Sequence, residues 1–172
     1  AAIPRVQYSI DNPLESNDAN ITGTLKVLDA CRKAGVQRLV FSSSSSVYGD
    51  QGRLPFVESM NPNPMSPYAA QKLAGEIYCG LYRELYGLET VCLRYFNVFG
   101  PRQDPEGGYA CLIPRSINLV LQGKSPIIKG DGKQTRDYCF VEDAVNANIL
   151  ASTSIDDHTI GQVFNIGNGD NR

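Results

Sequence analysis

The chain has 172 residues, 42% of them hydrophobic and 20% charged, and a formal net charge of −2 at pH 7. That length allows one full core or parts of two lobes, and the composition is that of an ordinary soluble globular protein. Lys and Arg gather into no stripe, and no apolar run approaches the roughly 18 residues that span a bilayer, so neither nucleic acid nor a membrane is an expected partner. In chain order, Ile21, Leu25, Leu28 and Cys31 recur at helical spacing within residues 16–34, and Gly35 stands where a C-terminal cap glycine belongs. Residues 38–41 read as a buried strand that runs into a five-serine stretch, Ser42 to Ser46. After a loop with Pro55, Pro62 and Pro64, a second helix opens at Ser66-Pro67. It carries Leu73, Ile77, Leu81 and Leu85 on one face and ends at Gly87. Residues 90–96 form the next strand. The second half predicts a helix over 114–122, short strands at 127–128 and 138–140, a helix over 141–151 and a strand over 163–166. Strands alternating with helices of this length imply βαβ units, a parallel sheet and an α/β fold.

The cysteines (Cys31, Cys79, Cys92, Cys111 and Cys139) are odd in number and far apart. That predicts reduced thiols in a cytoplasmic protein rather than a disulfide framework. With His158 the only histidine and no close cysteine pair, no metal site is expected. Residues 1–5 lack the apolar region of a signal peptide.

The sharpest feature is Tyr68-Ala69-Ala70-Gln71-Lys72. Residues four apart share one helical face, so phenol and ammonium can point into the same space. A phenol titrates near pH 10, too high for a base at neutral pH, and a nearby cation lowers that value. Ser66 is a good N-cap and Pro67 a good first residue, which puts Tyr68 in the first turn, where the helix dipole also favours phenolate. The spacing alone is a weak pattern and fits a surface pair better. The serine run changes the balance, because crevices in open α/β sheets lie at the carboxyl ends of strands.

Three segments then resemble the extended short-chain dehydrogenase/reductases: 41–49 (Phe-Ser-Ser-Ser-Ser-Ser-Val-Tyr-Gly), 66–72 (Ser-Pro-Tyr-Ala-Ala-Gln-Lys) and 93–101 (Leu-Arg-Tyr-Phe-Asn-Val-Phe-Gly-Pro). Asn20-Ile21-Thr22-Gly23-Thr24 and Thr135-Arg136-Asp137-Tyr138 fit the same pattern and order. Within that family the chain looks most like the UDP-glucose and UDP-N-acetylglucosamine 4-epimerases. The resemblance implies a Rossmann-like doubly wound sheet, NAD as cofactor, a UDP-sugar substrate, and a homodimer built from the helices at 16–34 and 66–86. It divides the chain into the remainder of a dinucleotide-binding domain (1–100), a segment of a substrate lobe (101–137), and a helix and strand returning toward the first domain before a C-terminal lobe (138–172). No G-x-G-x-x-G loop occurs, so the N-terminal strands of that sheet are absent and the chain reads as an excerpt of a larger enzyme.

The resemblance also implies roles. Ser44 matches the catalytic hydroxyl, Tyr68 the base, and Lys72 the residue that holds the nicotinamide ribose; all three lie against the cofactor, and Ser44 and Tyr68 against the sugar. Ser45 and Ser46 flank the sugar. Ala1, Ala2 and Ile3 match the segment that passes the cofactor, and Phe96 packs near the nicotinamide. Asn97 and Arg136 match ligands of the diphosphate. Cys111 and Leu112 fall where main chain meets the nucleotide, and 127–130, with Ile128, where the uracil rests. Alternatives stay open. Phe96 is equally a strand core residue, Arg136 and Asp137 equally a solvated ion pair, and Ser43, Ser45 and Ser46 equally turn residues. Tyr8, Tyr78, Tyr82, Tyr86 and Tyr109 read as packing residues and His158 as surface. The family's 4,6-dehydratases carry an acid pair, and its decarboxylases a glutamate, where this chain has Ser45 and Ser46. UDP-glucuronate 4-epimerases usually have threonine at the place of Asn97, and the stretch from Gln103 to Pro114 looks more like enzymes that accept N-acetylated sugars. Another NAD-linked nucleotide-sugar enzyme, or a non-catalytic nucleotide-binding scaffold, remains the alternative.

Overall fold

The computed structural model describes residues 2–106, 112–128 and 130–169. The first half runs α1 (Val6–Asp11), α2 (Pro13–Asn17), α3 (Gly23–Lys33), β1 (Arg38–Ser44), α4 (Pro67–Tyr86) and β2 (Glu89–Tyr95). The second half runs β3 (Asn97–Phe99), α5 (Leu112–Leu121), β4 (Tyr138–Phe140), α6 (Val141–Thr153) and β5 (Val163–Ile166). The strands β1, β2 and β5 form a parallel sheet in that order, and β3 and β4 form a second parallel pair.

Alternation along the strands builds two apolar layers. On one face Leu39, Phe41 and Cys92 pack with Leu28, Cys79 and Tyr82 of α3 and α4. On the other Val40, Val91, Leu93 and Phe164 pack with Ala147 and Ala151 of α6. Central β2 is buried from Thr90 to Arg94, while β1, at the edge of the described sheet, is half-buried where full burial was expected.

Local chemistry sets the bounds of α4. The Ser66 hydroxyl accepts the Ala69 N–H at 3.2 Å, Pro67 occupies the first turn, and Gly87 closes the helix in the left-handed region at φ 70°. Its inward face differs from the apolar stripe of the sequence. Ala69, Lys72, Gly75, Glu76, Cys79 and Tyr82 are buried, whereas Ile77, Leu81 and Leu85 are exposed and Leu73 is half-buried. The sheet side has to take the Phe41 ring, which approaches so closely that a Cβ on Gly75 would lie 2.2 Å from Cζ.

The predicted helix at 16–34 is interrupted. A π-turn, Asp18–Thr22, separates α2 from α3 and turns the Asn20 side chain inward, where it is buried. The strand expected at 127–128 does not form. Ile127 and Ile128 follow Pro126, are exposed and pair with no strand among the described residues; β4 pairs instead with β3, which the sequence did not announce. No helix among the described residues is long and apolar enough to cross a membrane.

Candidate active site

A cleft of about 1480 Å³ opens at the carboxyl end of the sheet. A small-molecule site typically occupies about 300–1,000 Å³, so there is room for more than one ligand. Its lining includes Ser44, Ser45, Ser46, Tyr68, Phe96, Asn97 and Arg136.

Ser44 ends β1, opposite Tyr95 in the register, and begins the 3-10 turn Ser45–Tyr48. Its Oγ accepts the Ser46 N–H at 3.2 Å and the Ser46 hydroxyl at 2.9 Å. Tyr68 lines the cleft beside the same Ser44 side chain, which favours the phenolate form of its hydroxyl. Tyr68 is the second residue of α4, and its backbone N–H, an orphan donor of the first turn, is taken by Ser9 Oγ at 3.0 Å. Lys72 follows one turn later and is 7% exposed; its Nζ donates to the Ser42 carbonyl at 2.8 Å and lies 5.8 Å from the Tyr68 ring centroid and 5.2 Å from that of Phe41.

The electrostatics correct the sequence reading. Tyr68 was expected to be pushed toward phenolate, but burial raises the phenol, and the neighbouring Ser44 hydroxyl only partly opposes it. The hydrogen bond of the Lys72 ammonium goes to the Ser42 carbonyl and not to the phenol. Burial lowers the titration of Lys72 itself. An ammonium has three donors, which leaves two beyond the Ser42 bond.

The other predicted positions fall into three groups. Phe96, between β2 and β3, lines the cleft and also packs beside Phe56, with ring centroids 6.4 Å apart. Asn97 donates its backbone N–H and its side-chain Nδ2 to the Asp137 carbonyl at 3.2 and 2.8 Å, which fixes the side chain at the cleft wall. Arg136 is exposed at the cleft, with Nη1 on the Thr135 carbonyl at 2.7 Å. No ion pair joins it to Asp137, whose carboxylate instead accepts the N–H groups of Asn168 at 2.7 Å and Gly169 at 3.0 Å. Ala2 and Ile3 do not line the cleft, but Asn20 clamps Ile3 from both sides, accepting its N–H at 2.6 Å and donating to its carbonyl at 2.9 Å. Leu112 and Ile128 are exposed and lie outside the cleft lining. Ala1 and Cys111 lie outside the described residues.

Several participants were missed. Asn20 also donates to Gln71 Oε1 at 2.7 Å, and Gln71 donates to Ser16 Oγ at 3.0 Å, a buried chain that ties the Ile3 segment to α4. The motif containing Asn20 was noted, but its contact with Ile3 needed the π-turn. Ser9 carried no signal, because the six-residue α1 was not predicted. No group of acidic, histidine or cysteine side chains among the described residues could hold a metal ion.

Comparison with known proteins agrees with this geometry. The model of the NAD dependent epimerase/dehydratase family matches residues 1–167. A UDP-glucose 4-epimerase from Mycolicibacterium smegmatis is 43% identical over 170 residues, 98% of this chain and 53% of that protein. The structure of the UDP-N-acetylglucosamine 4-epimerase from Methanobrevibacter ruminantium, in complex with UDP-N-acetylmuramic acid, superposes with a TM-score of 0.94 at 45% identity, covering all of this chain and 54% of that one. The UDP-glucose 4-epimerase of Thermus thermophilus in complex with NAD gives 0.87 at 38% identity, again over the whole chain and 56% of its own. Relatives named for other activities, a UDP-sugar decarboxylase and a dTDP-glucose 4,6-dehydratase among them, match the same span. The chain therefore spans about half the length of the relatives it matches, and it belongs to the NAD-dependent epimerase/dehydratase family.

Proposed function

We propose that the full-length protein epimerises C4 of a UDP-hexose or UDP-N-acetylhexosamine by way of a 4-keto sugar, with NAD held throughout. The observation that carries this reading is the convergence of Tyr68 and Ser44 on the cleft lining, with the buried Lys72 amine one turn behind. NAD fits the residues present. Lys72 has donors to spare for ribose hydroxyls, the Asn20 clamp fixes the Ile3 segment, and Phe96 offers a flat apolar face. When bound, NAD supplies a hydride acceptor that later returns what it took. Tyr68 takes the proton of the 4-hydroxyl as C4 is oxidised and gives it back after the ketone has turned over. Ser44 steadies the same oxygen. Arg136 and Asn97 anchor the diphosphate, since a planar guanidinium suits such an anion, and the anchor holds while the sugar rotates.

A dehydratase or decarboxylase is supported less well. The only carboxylates among the described lining residues are Asp11 and Asp137, and Asp137 is occupied by Asn168 and Gly169. Ser45 and Ser46 stand beside Ser44 and offer hydroxyls only. For the domain division, the separate β3–β4 pair supports a boundary near residue 100. The exposed stripe of Ile77, Leu81 and Leu85 supports a homodimer through α4, and the free cysteines support a reducing cytoplasmic setting.

The test uses UDP-galactose deuterated at C4. The full-length protein should release UDP-glucose with the label still on C4, as read by NMR. Loss of the label to solvent, or a 4-keto-6-deoxy product, would replace this reading with another.

A further inference from the structure

One buried ion pair lies behind the cleft, outside its lining. Arg94 on β2 forks onto Glu76 of α4, with Nε 2.9 Å from Oε1 and Nη2 2.7 Å from Oε2; the two side chains are 5% and 6% exposed. Ser43, the partner of Arg94 in the β1–β2 register, donates its hydroxyl to the same Glu76 Oε1. The guanidinium carbon lies 4.7 Å from the centroid of Tyr48, which closes the turn begun by Ser44, and the Tyr48 hydroxyl donates to Asn165 of β5 at 2.7 Å. The remaining nitrogen, Nη1, has no hydrogen-bond partner. Three strands, the serine turn and α4 thus meet on one pair of charges.

Stability alone is a poor reason for such a pair. Desolvating two ions often costs more than their attraction returns, and apolar side chains of similar volume commonly do as well. What a two-pronged fork adds is a single allowed geometry. Here that geometry matters, because Glu76 is one helical turn from Lys72 and two from Tyr68, and Ser43 adjoins Ser44. A slide of α4 along β1 would separate the phenol from the serine hydroxyl.

We propose that Arg94 is a positioning residue: its fork onto Glu76 sets the register of α4 against β1, so that Tyr68 meets Ser44. The kinetic part rests on the epimerase reading; the geometric part does not. The substitution is Arg94→Lys in the full-length protein, which keeps the charge and loses the fork. Arg38→Lys is the control, because Arg38 pairs with Glu89 at 2.8 Å across the amino ends of the same two strands. Two quantities are measured, namely kcat and KM for UDP-galactose, and the Tyr68 titration by carbon-13 tyrosine NMR, assigned with Tyr68→Phe. Arg94→Lys should lower kcat by about tenfold to a hundredfold with little change in KM, as a small misplacement of reacting groups does. It should also move the Tyr68 titration to higher pH, since contact with Ser44 weakens. Arg38→Lys should lower Tm and change neither. A less stable Arg94→Lys with wild-type kcat and Tyr68 titration overturns the proposal. If Arg94→Lys does not fold, Ser43→Ala takes its place, with a smaller shift in the same direction expected and none overturning it. If the wild type turns over no UDP-hexose, the epimerase reading fails, and the Tyr68 titration still decides the positioning role.

Discussion

Replacing Ser44 with alanine separates the two functions of its hydroxyl. That hydroxyl is the group that favours Tyr68 phenolate against the effect of burial. A hydrogen bond to a charged group contributes about 1.5–3 kcal/mol, which at 1.36 kcal/mol per decade corresponds to a loss of about tenfold to a hundredfold in rate. The same oxygen caps the turn through Ser46, so about 1 kcal/mol of stability should go with it. That would lower Tm by about 2–4 °C in a chain of this size. The sign of the pH effect follows from the direction of the shift. Phenolate is the active form of the base, and Ser44→Ala raises the phenol further, so the rising limb of kcat/KM moves to higher pH in the full-length enzyme. Ser44→Thr restores a hydroxyl and should bring the limb back. An alanine variant whose limb stays in place, with turnover intact, would show that Ser44 does not act on Tyr68.

Other perturbations read other parts of the site. Lys72→Met should abolish turnover yet raise Tm at neutral pH. Burial depresses the folded-state titration of Lys72 below its unfolded value, so the penalty is absent above the unfolded value, builds as pH falls through it and is complete below the folded one. The Tm gain should therefore shrink toward pH 10.5; a gain that grows with pH would reverse the sign. Asp137→Ala releases the exposed N–H groups of Asn168 and Gly169 to water and should cost about 0.5–1.5 kcal/mol by urea unfolding, where an unchanged midpoint would count against the contact. Gly75→Ala drives a methyl into the Phe41 ring beside Lys72 and should cost about 1–3 kcal/mol, measured the same way. Ile77→Glu, on the exposed stripe of α4, should convert a dimer of the full-length protein to monomers in light scattering; an unaltered mass would move the interface elsewhere.

The sequence carried the parts of the site whose chemistry is local. Ser66-Pro67 and Gly87 bound α4, and the four-residue spacing put Tyr68 and Lys72 on one face, because caps and helical period are set by neighbours in the chain. It carried less where distant segments decide. The sequence left open whether the Ile77 stripe faces the sheet or a partner, because hydrophobic periodicity cannot tell which face a helix turns to a sheet when polar side chains such as Glu76 and Lys72 are the ones buried. Likewise, the spacing suggested that Lys72 acts on the phenol, while the structure gives its ammonium to the Ser42 carbonyl. The roles of Ser9 and Asn20 depend on backbone groups 59 and 17 residues away. A short helix and a π-turn place them, and neither has a strong sequence signal.

The most direct test of the central claim is turnover of UDP-galactose by the full-length protein carrying Tyr68→Phe. The ring and its packing are kept, and only the oxygen that moves the proton is lost. Sugar binding should be preserved and kcat should fall by about a hundredfold to ten-thousandfold, the usual contribution of a general base. Turnover within a few-fold of wild type would contradict the account.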